Sequence, residues 1–299
     1  MAVPQSSPSD RVKIGVAGWS YEDWQGVVYP RGLKPGERLA YLAEYFDCLE
    51  INSTFYALPR RELVARWAAQ IEELPDFLFT CKLPGDVTHK SSDEPIEPFR
   101  AAIEPLAAAG KLGAVLAQFP WYFEYADAAF DRLRRIADKL APLPLVLELR
   151  HRSFLREDVF AFLAGRGIGL ANIDLPASAT SLPAAGLVFG NVGYFRFHGR
   201  NREAWFDAEA GRDRKFDYLY GEEELAPWVA RIAEVATRAR TVFVIANNHF
   251  RGQAPANAID IAALLGREPC APAALLAAFP HLRARTAVHA REPGDLPHV

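Results

Sequence analysis

Short apolar runs recur along the whole chain, and between them apolar residues return every three or four positions. The runs at 12–18, 47–52, 77–82, 113–119, 144–150, 168–174, 193–199 and 241–248 have the length and β-branched content of strands. The intervening period is helical: Leu39, Leu42, Ala43 and Phe46; Leu63, Trp67, Ile71 and Leu74; Phe130, Leu133, Ile136 and Leu140; Leu225, Trp228, Val229, Ile232 and Val235. An Ala-rich stretch at 96–109 and segments 156–165 and 255–265 predict further helices, the last closed by Gly266 as a C-cap residue. The connection 175–190 is weakly periodic and predicts no more than a turn of helix. One more short helix is expected over Ala273–Phe279.

Strands alternating with helices are parallel βαβ units. Eight of them without a break in composition predict a single-domain α/β fold, a closed (β/α)8 TIM-like barrel over 12–270. A flexible N-terminal tail is expected at 1–11, and a C-terminal helix and tail at 271–299. The competing open doubly wound sheet would carry a dinucleotide fingerprint after its first strand. Gly15-Val16-Ala17-Gly18-Trp19 lacks that spacing, and no P-loop is present.

Composition narrows the classes of partner. Of 299 residues half are hydrophobic and a quarter charged, and the net charge is −3. Such a chain has no global attraction to nucleic acid or anionic membrane, so any nucleic-acid contact needs a local basic patch. Cys48, Cys81 and Cys270 show neither metal spacing nor a disulfide framework, which suits a reducing compartment. With no signal-like N-terminus and no membrane-length apolar run, a cytoplasmic location is expected. Asn52-Ser53-Thr54 then matches a glycosylation acceptor by accident.

The chemistry gathers where the strands end. Glu50 and Asn52, Lys82, Gln118, Glu148 and Arg150, Asn172 and Asp174, Arg196 and His198, and Asn247 and Asn248 all stand at C-terminal strand ends. In a parallel barrel those ends share one face, where barrel enzymes carry their sites. Tyr194, Arg196 and His198 share one side of their strand, and Phe195 and Phe197 the other. The same parity joins Glu50 to Asn52, Glu148 to Arg150, and Asn172 to Asp174. Individually such residues also serve as mutually satisfied core groups, but a whole ring of buried charge is expensive without a function. Aromatic residues crowd the following loops: Trp19, Tyr21, Trp24 and Tyr29, then Phe55 and Tyr56, Trp121 and Tyr122, and Trp205, Tyr218 and Tyr220. Flat rings suit sugar faces or bases, and nearby Arg and Lys suit phosphate or carboxylate, although about half of such rings only pack loops onto a barrel.

These motifs, in this order, resemble the YecE-like family. The likeness is carried by Gly18-Trp19-Ser20-Tyr21 with Trp24 and Tyr29-Pro30, by Glu50-Ile51-Asn52-Ser53-Thr54-Phe55-Tyr56, and by Lys82 with Thr88-His89. It continues through Gln118-Phe119-Pro120, Glu148-Leu149-Arg150-His151, Asp174 and Arg196-Phe197-His198-Gly199-Arg200. It ends with Asn247-Asn248, Gly252, Ala254, Asn257 and Ala258. The resemblance implies a TIM barrel of unassigned biochemical role, with a likeness to metal-dependent endonuclease barrels on fold grounds alone. Ala246 departs from the aromatic that family usually places before the paired Asn, which would widen the pocket.

Three functions compete at this point. The first is a hydrolase or lyase that takes Glu50, Glu148, Asp174 and His198 as catalytic groups, its carboxylates driven to different pKa values. The second uses the same four residues as ligands of a divalent metal in a phosphodiesterase or endonuclease-like barrel. Lys82, Arg150 and Arg196 argue against that, so no cofactor and no metal site is assigned. The third is a binding module for nucleic acid or another anionic ligand. The first is preferred, with an anionic small-molecule or nucleotide-containing ligand. Substrate contacts are assigned to Trp19, Tyr21, Asn52, Tyr56, Lys82, His89, Gln118, Arg150, Arg196, Arg200, Tyr220, Asn247 and Asn248. Lys82 could form a Schiff base if desolvation or a cationic neighbour lowered its pKa; pairing with Glu50 or binding phosphate is the preferred role. His89 and His151, both in loops, are further acid–base candidates, and His249, beside the paired Asn, is a weaker one.

Overall fold

The computed structural model describes residues 8–207 and 209–287. Eight strands pair in sequence order and close into a barrel: β1 (Val12–Ala17), β2 (Cys48–Ile51), β3 (Leu78–Lys82), β4 (Leu112–Gln118), β5 (Leu145–Glu148), β6 (Gly169–Asp174), β7 (Val192–Phe197) and β8 (Thr241–Ala246). Every pairing is parallel, including the closing one, where Gly15 of β1 lies beside Ile245 of β8. Each strand lies within a residue or two of its apolar run, with most ends trimmed where the backbone turns away from its neighbour.

The helices are α1 (Arg38–Ala43), α2 (Arg61–Gln70), α3 (Gly85–Thr88), α4 (Ile96–Ala108), α5 (Asp127–Leu140) and α6 (Glu157–Arg166), followed by α7 (Arg202–Phe206), α8 (Arg212–Lys215), α9 (Glu222–Arg238), α10 (Gln253–Leu264) and α11 (Ala273–Ala278). Two expected apolar stripes are buried, Phe130, Leu133, Ile136 and Leu140 on α5 and Leu225, Trp228, Ile232 and Val235 on α9, whereas α2 buries Val64 and Ala68, with Ile71 just beyond it, and leaves Leu74 exposed. Each large side chain so buried contributes roughly 1.5–3 kcal/mol on leaving water. The short helices α3, α7 and α8 were not expected, because four or five residues carry no readable period. Between β6 and β7 there is no helix. Instead the Asn172 carboxamide holds that connection, donating to the Leu187 carbonyl (2.9 Å) and accepting from the Leu187 amide (2.8 Å).

Strand alternation divides the core. Outward residues pack under the helices, while Ala17, Cys48, Ala114, Leu116, Val146, Ala171, Tyr194, Phe243 and Ile245 fill the lumen. At the β3–β4 irregularity Gly113 makes room for Phe243, since a Cβ there would lie 2.3 Å from its ring. Within the expected N-terminal tail, Pro8–Arg11 forms a 3-10 turn whose Arg11 donates to the Ala239 carbonyl. Residues 1–7 and 288–299 lie outside the described residues. No helix of the described residues is long and apolar enough to cross a membrane.

Candidate active site

The register of β7 sets the site. Phe195 and Phe197 point outward onto Trp228 of α9, and Tyr194 and Arg196 point into the lumen. Arg196 lies across the barrel between two fully buried carboxylates. Its Nε and Nη2 donate to Glu50 (3.0 and 2.6 Å), and its Nη1 donates to Glu148 Oε2 (2.6 Å). The Tyr194 hydroxyl donates to Glu50 Oε2 (2.9 Å), so the Thr80 hydroxyl, 2.8 Å away, donates to Tyr194. Arg150 completes the set, with Nε and Nη2 both on Glu148 Oε1 (2.8 and 2.6 Å). All four carboxylate oxygens are thus engaged by donors, the condition under which buried charge is tolerated.

That arrangement fixes charge states. Burial would raise the Glu148 carboxyl, but Arg196 and Arg150 outweigh it and hold the group well below the usual carboxylate range. Glu148 therefore stays ionised at neutral pH, with both oxygens engaged by arginines. His198 is driven the other way, because burial and the facing Arg196 keep its imidazole neutral. Its Nε2 lies 3.2 Å from Arg196 Nη1, which can only donate, so Nδ1 carries the ring proton. The Asn247 carboxamide lies 2.9 Å from Nδ1 and accepts that proton when its oxygen is turned there.

Above this floor opens a cavity of about 430 Å³. Asn52, Lys82, His89, Gln118, Arg150 and Asn247 supply its polar lining, and Tyr56, Trp121 and Tyr122 stand exposed on its rim. Lys82 differs from every other charged group there. Its Nζ rests 3.8 Å from the centre of the Phe55 ring, and among the described residues no carboxylate lies within ion-pair distance of it. The expected pairing with Glu50 is absent because Arg196 and Tyr194 already occupy both Glu50 oxygens. Burial, then Arg196, with Arg150 assisting against Glu148 and Glu50, lowers the Lys82 amine from 10.5 to about 7. Burial followed by Lys82 likewise takes His89 down to about 4. His89 also stands edge-on to Phe55, and its Nδ1 lies 2.9 Å from the Thr88 hydroxyl. Gly85 makes the platform possible, since a Cβ there would meet the Phe55 ring at 2.8 Å. The buried Asn52 Oδ1 has no hydrogen-bond partner.

Several assigned residues lie elsewhere. Ile173 of β6, not Asp174, is level with inward-facing Arg196, so Asn172 and Asp174 point to the helix side. Asp174 receives Arg200 there (2.6–3.2 Å), and Arg200 also donates to Glu224. Both line a separate, mostly apolar cavity of about 670 Å³ that shares Trp121, Arg150 and Trp205 with the lumen site. Trp19 packs on Trp67 and Phe79, while Tyr220 packs on Phe197 and accepts from the Gly199 amide. Asn248 donates to Asn257 and to the Tyr218 carbonyl. These are packing roles. His151 accepts from the Ser153 amide beside a 3-10 turn and does not border the cavity. Ala246 is level with outward-facing Phe197 and therefore does not widen the pocket.

In return, an aromatic wall was only partly foreseen. Trp205, Phe216, His249 and Tyr21 follow one another with ring centroids 4.5–5.8 Å apart. Phe216 lies in an aperiodic loop and carried no sequence signal; His249 stood beside the paired Asn and was ranked too low. The metal alternative fares worse: Glu50 and Glu148 are separated by Arg196, and Asp174 is outside the wall. Among the described residues no group of three His, Cys, Asp or Glu side chains is placed to hold a metal ion.

Fold and site together define a single-domain (β/α)8 barrel with a charged, aromatic-walled cavity at the C-terminal strand ends. The chain belongs to the DUF72 family, described as proteins of unknown function, whose model matches residues 13–280. It is 26% identical over 280 residues to the UPF0759 protein YunF of Bacillus subtilis (strain 168), covering 86% of this chain and 95% of that one. Over 116 residues it is 32% identical to the UPF0759 protein YecE of Escherichia coli (strain K12), covering 38% and 39% of the two chains. The crystal structure of a DUF72 family protein from Thermotoga maritima superimposes with a TM-score of 0.76 at 36% identity, covering 86% of this chain and 99% of that one. The YecE-like resemblance is thereby borne out.

Proposed function

We propose that the protein is an enzyme of the lyase or hydrolase type acting on a small anionic substrate, carboxylate- or phosphate-bearing, held in the lumen cavity. One observation carries this reading. The cavity's two carboxylates are spent on Arg196 and Arg150, whereas Lys82 and the outer edge of Arg150 still face open space. A cavity of this volume falls within the roughly 300–1,000 Å³ of small-molecule sites.

Roles are redistributed accordingly. Glu50 and Glu148 hold Arg196 as fixed positive floor. His198 flanks it with Asn247 behind, and Asn52 Oδ1 waits for a ligand donor. Acid–base work passes to Lys82, whose amine is lowered to about 7 and so near working pH, with His89 beside it as a neutral imidazole. The exposed rings of Tyr56, Trp121 and Tyr122 favour a second reading, a non-catalytic binder of a flat ligand. Metabolite pools incubated with parent and with Lys82→Met protein, compared by mass spectrometry, decide between them. Catalysis requires an anionic compound that only the parent depletes. Retention without depletion in both proteins favours the binder.

A further inference from the structure

We infer that the Lys82 amine is the nucleophile that captures a substrate carbonyl as a Schiff base, with Arg150 holding a carboxylate or phosphate on the same molecule. This deepens the preceding proposal and rests on its anionic substrate. The argument is one of competition for Nζ. A lysine kept as a structural cation is given an anion, and here the carboxylates it could have used, Glu50 on β2 and Glu148 on β5, are saturated by Arg196, Arg150 and Tyr194. The groups facing it are Arg196 and His198 from β7, Arg150 after β5, and His89 after α3. Positive neighbours and partial burial against Phe55 both favour the free amine, the form that attacks carbonyl carbon. The face of Phe55 positions the amine without accepting its proton.

The step balances. The Nζ lone pair adds to the carbonyl carbon and the C=O π pair moves to oxygen. His89, on the same Phe55 platform, takes a proton from nitrogen and returns it to that oxygen. The nitrogen lone pair then forms C=N as the hydroxyl departs, and the remaining nitrogen proton passes through His89 to that oxygen, which leaves as water. No oxidant, reductant or metal is required.

The full-length protein is incubated with pyruvate, with glyceraldehyde 3-phosphate and with uncharged acetaldehyde, each with cyanoborohydride, and labelled peptides are mapped by mass. One saturable adduct is expected on Lys82, forming at least about tenfold faster than on any other lysine and rising with pH through about 7. Pyruvate and glyceraldehyde 3-phosphate distinguish carboxylate from phosphate as the anionic handle. Lys82→Arg, which keeps the charge, abolishes the adduct, and Arg150→Met removes the preference for anionic carbonyls over acetaldehyde. Labelling spread evenly over surface lysines, or an unchanged adduct in Lys82→Arg, overturns the inference. If pyruvate or inorganic phosphate raises the Tm of parent and Lys82→Arg while no adduct forms, the Schiff base falls and anion binding stands. Rapid Lys82 trapping by acetaldehyde without anionic preference overturns the anionic substrate instead.

Discussion

At the lumen floor Arg196 bridges Glu50 and Glu148; four residues further on, outside the wall, Arg200 bridges Asp174 and Glu224. In the chain the two sets look alike: an arginine at the end of β7, and acids at the ends of other strands or the start of α9. They differ in what surrounds them. Arg196 is sealed at 2% exposure beneath a cavity that contains an unpaired amine and an unpaired amide oxygen. Arg200 is 37% exposed, and its partner Glu224 is further satisfied by the Tyr218 hydroxyl and the Gly221 amide. A closed ion-pair network with every group matched is sufficiently explained as structure. A network that closes while leaving a neighbouring amine unmatched has arranged that amine for something else.

The largest expected effect lies at the floor. Arg196→Met leaves buried Glu50 without a counter-ion and Glu148 with Arg150 alone, and should destabilise by about 3–5 kcal/mol in denaturant unfolding. A loss below about 1 kcal/mol would erase the distinction between the two clusters. Because Glu148 is held below its ordinary 4.5, its share of stability is present above that pH and lost as pH falls.

Lys82→Met should act oppositely, stabilising by about 1–3 kcal/mol at pH 6 through removal of a half-buried charge that faces Arg196 without a carboxylate partner. The folded amine titrates near 7 and the unfolded one near 10.5, so the parent's deficit is full below 7 and shrinks as pH rises to 10.5. Melting curves of both proteins at pH 6, 8 and 10 should converge at the alkaline end; a constant offset would mean that Lys82 keeps its proton.

Asp174→Asn, outside the wall, should cost about 1 kcal/mol, since its arginine is partly screened by water. It should leave phosphate binding in the lumen unchanged by calorimetry, and a lost lumen affinity would merge the two regions. Trp121→Ala should change stability by less than about 0.5 kcal/mol while weakening retention of flat anionic ligands.

The barrel was legible because parallel strands buried on both faces read as near-continuous apolar runs, and because α5 and α9 carry clear stripes. The weak period of 175–190 was itself informative, for no helix forms there. The site was legible in part. Alternation shows which residues share a face, as with Tyr194 and Arg196, but not which face, and Asn172 and Asp174 were turned the wrong way for that reason. Only the pairing of Ile173 with Arg196 settles it. Protonation was less legible still. Whether Glu148 gives a proton or holds a cation depends on an arginine contributed by β7, and whether Lys82 is paired depends on two other residues having claimed Glu50 first.

Between β6 and β7 the barrel is covered by 175–191 without a helix, tied at Leu187 by the Asn172 carboxamide and at Thr180 and Leu182 by backbone bonds to Arg152 and Arg150. Amides in such a stretch exchange with solvent through local openings far less costly than global unfolding, whereas those of α5 and α9 wait for larger ones. Hydrogen–deuterium exchange should therefore resolve this side of the cylinder as its fastest-opening sector. Asn172→Ala should accelerate exchange there while leaving the rest of the molecule on its original clock.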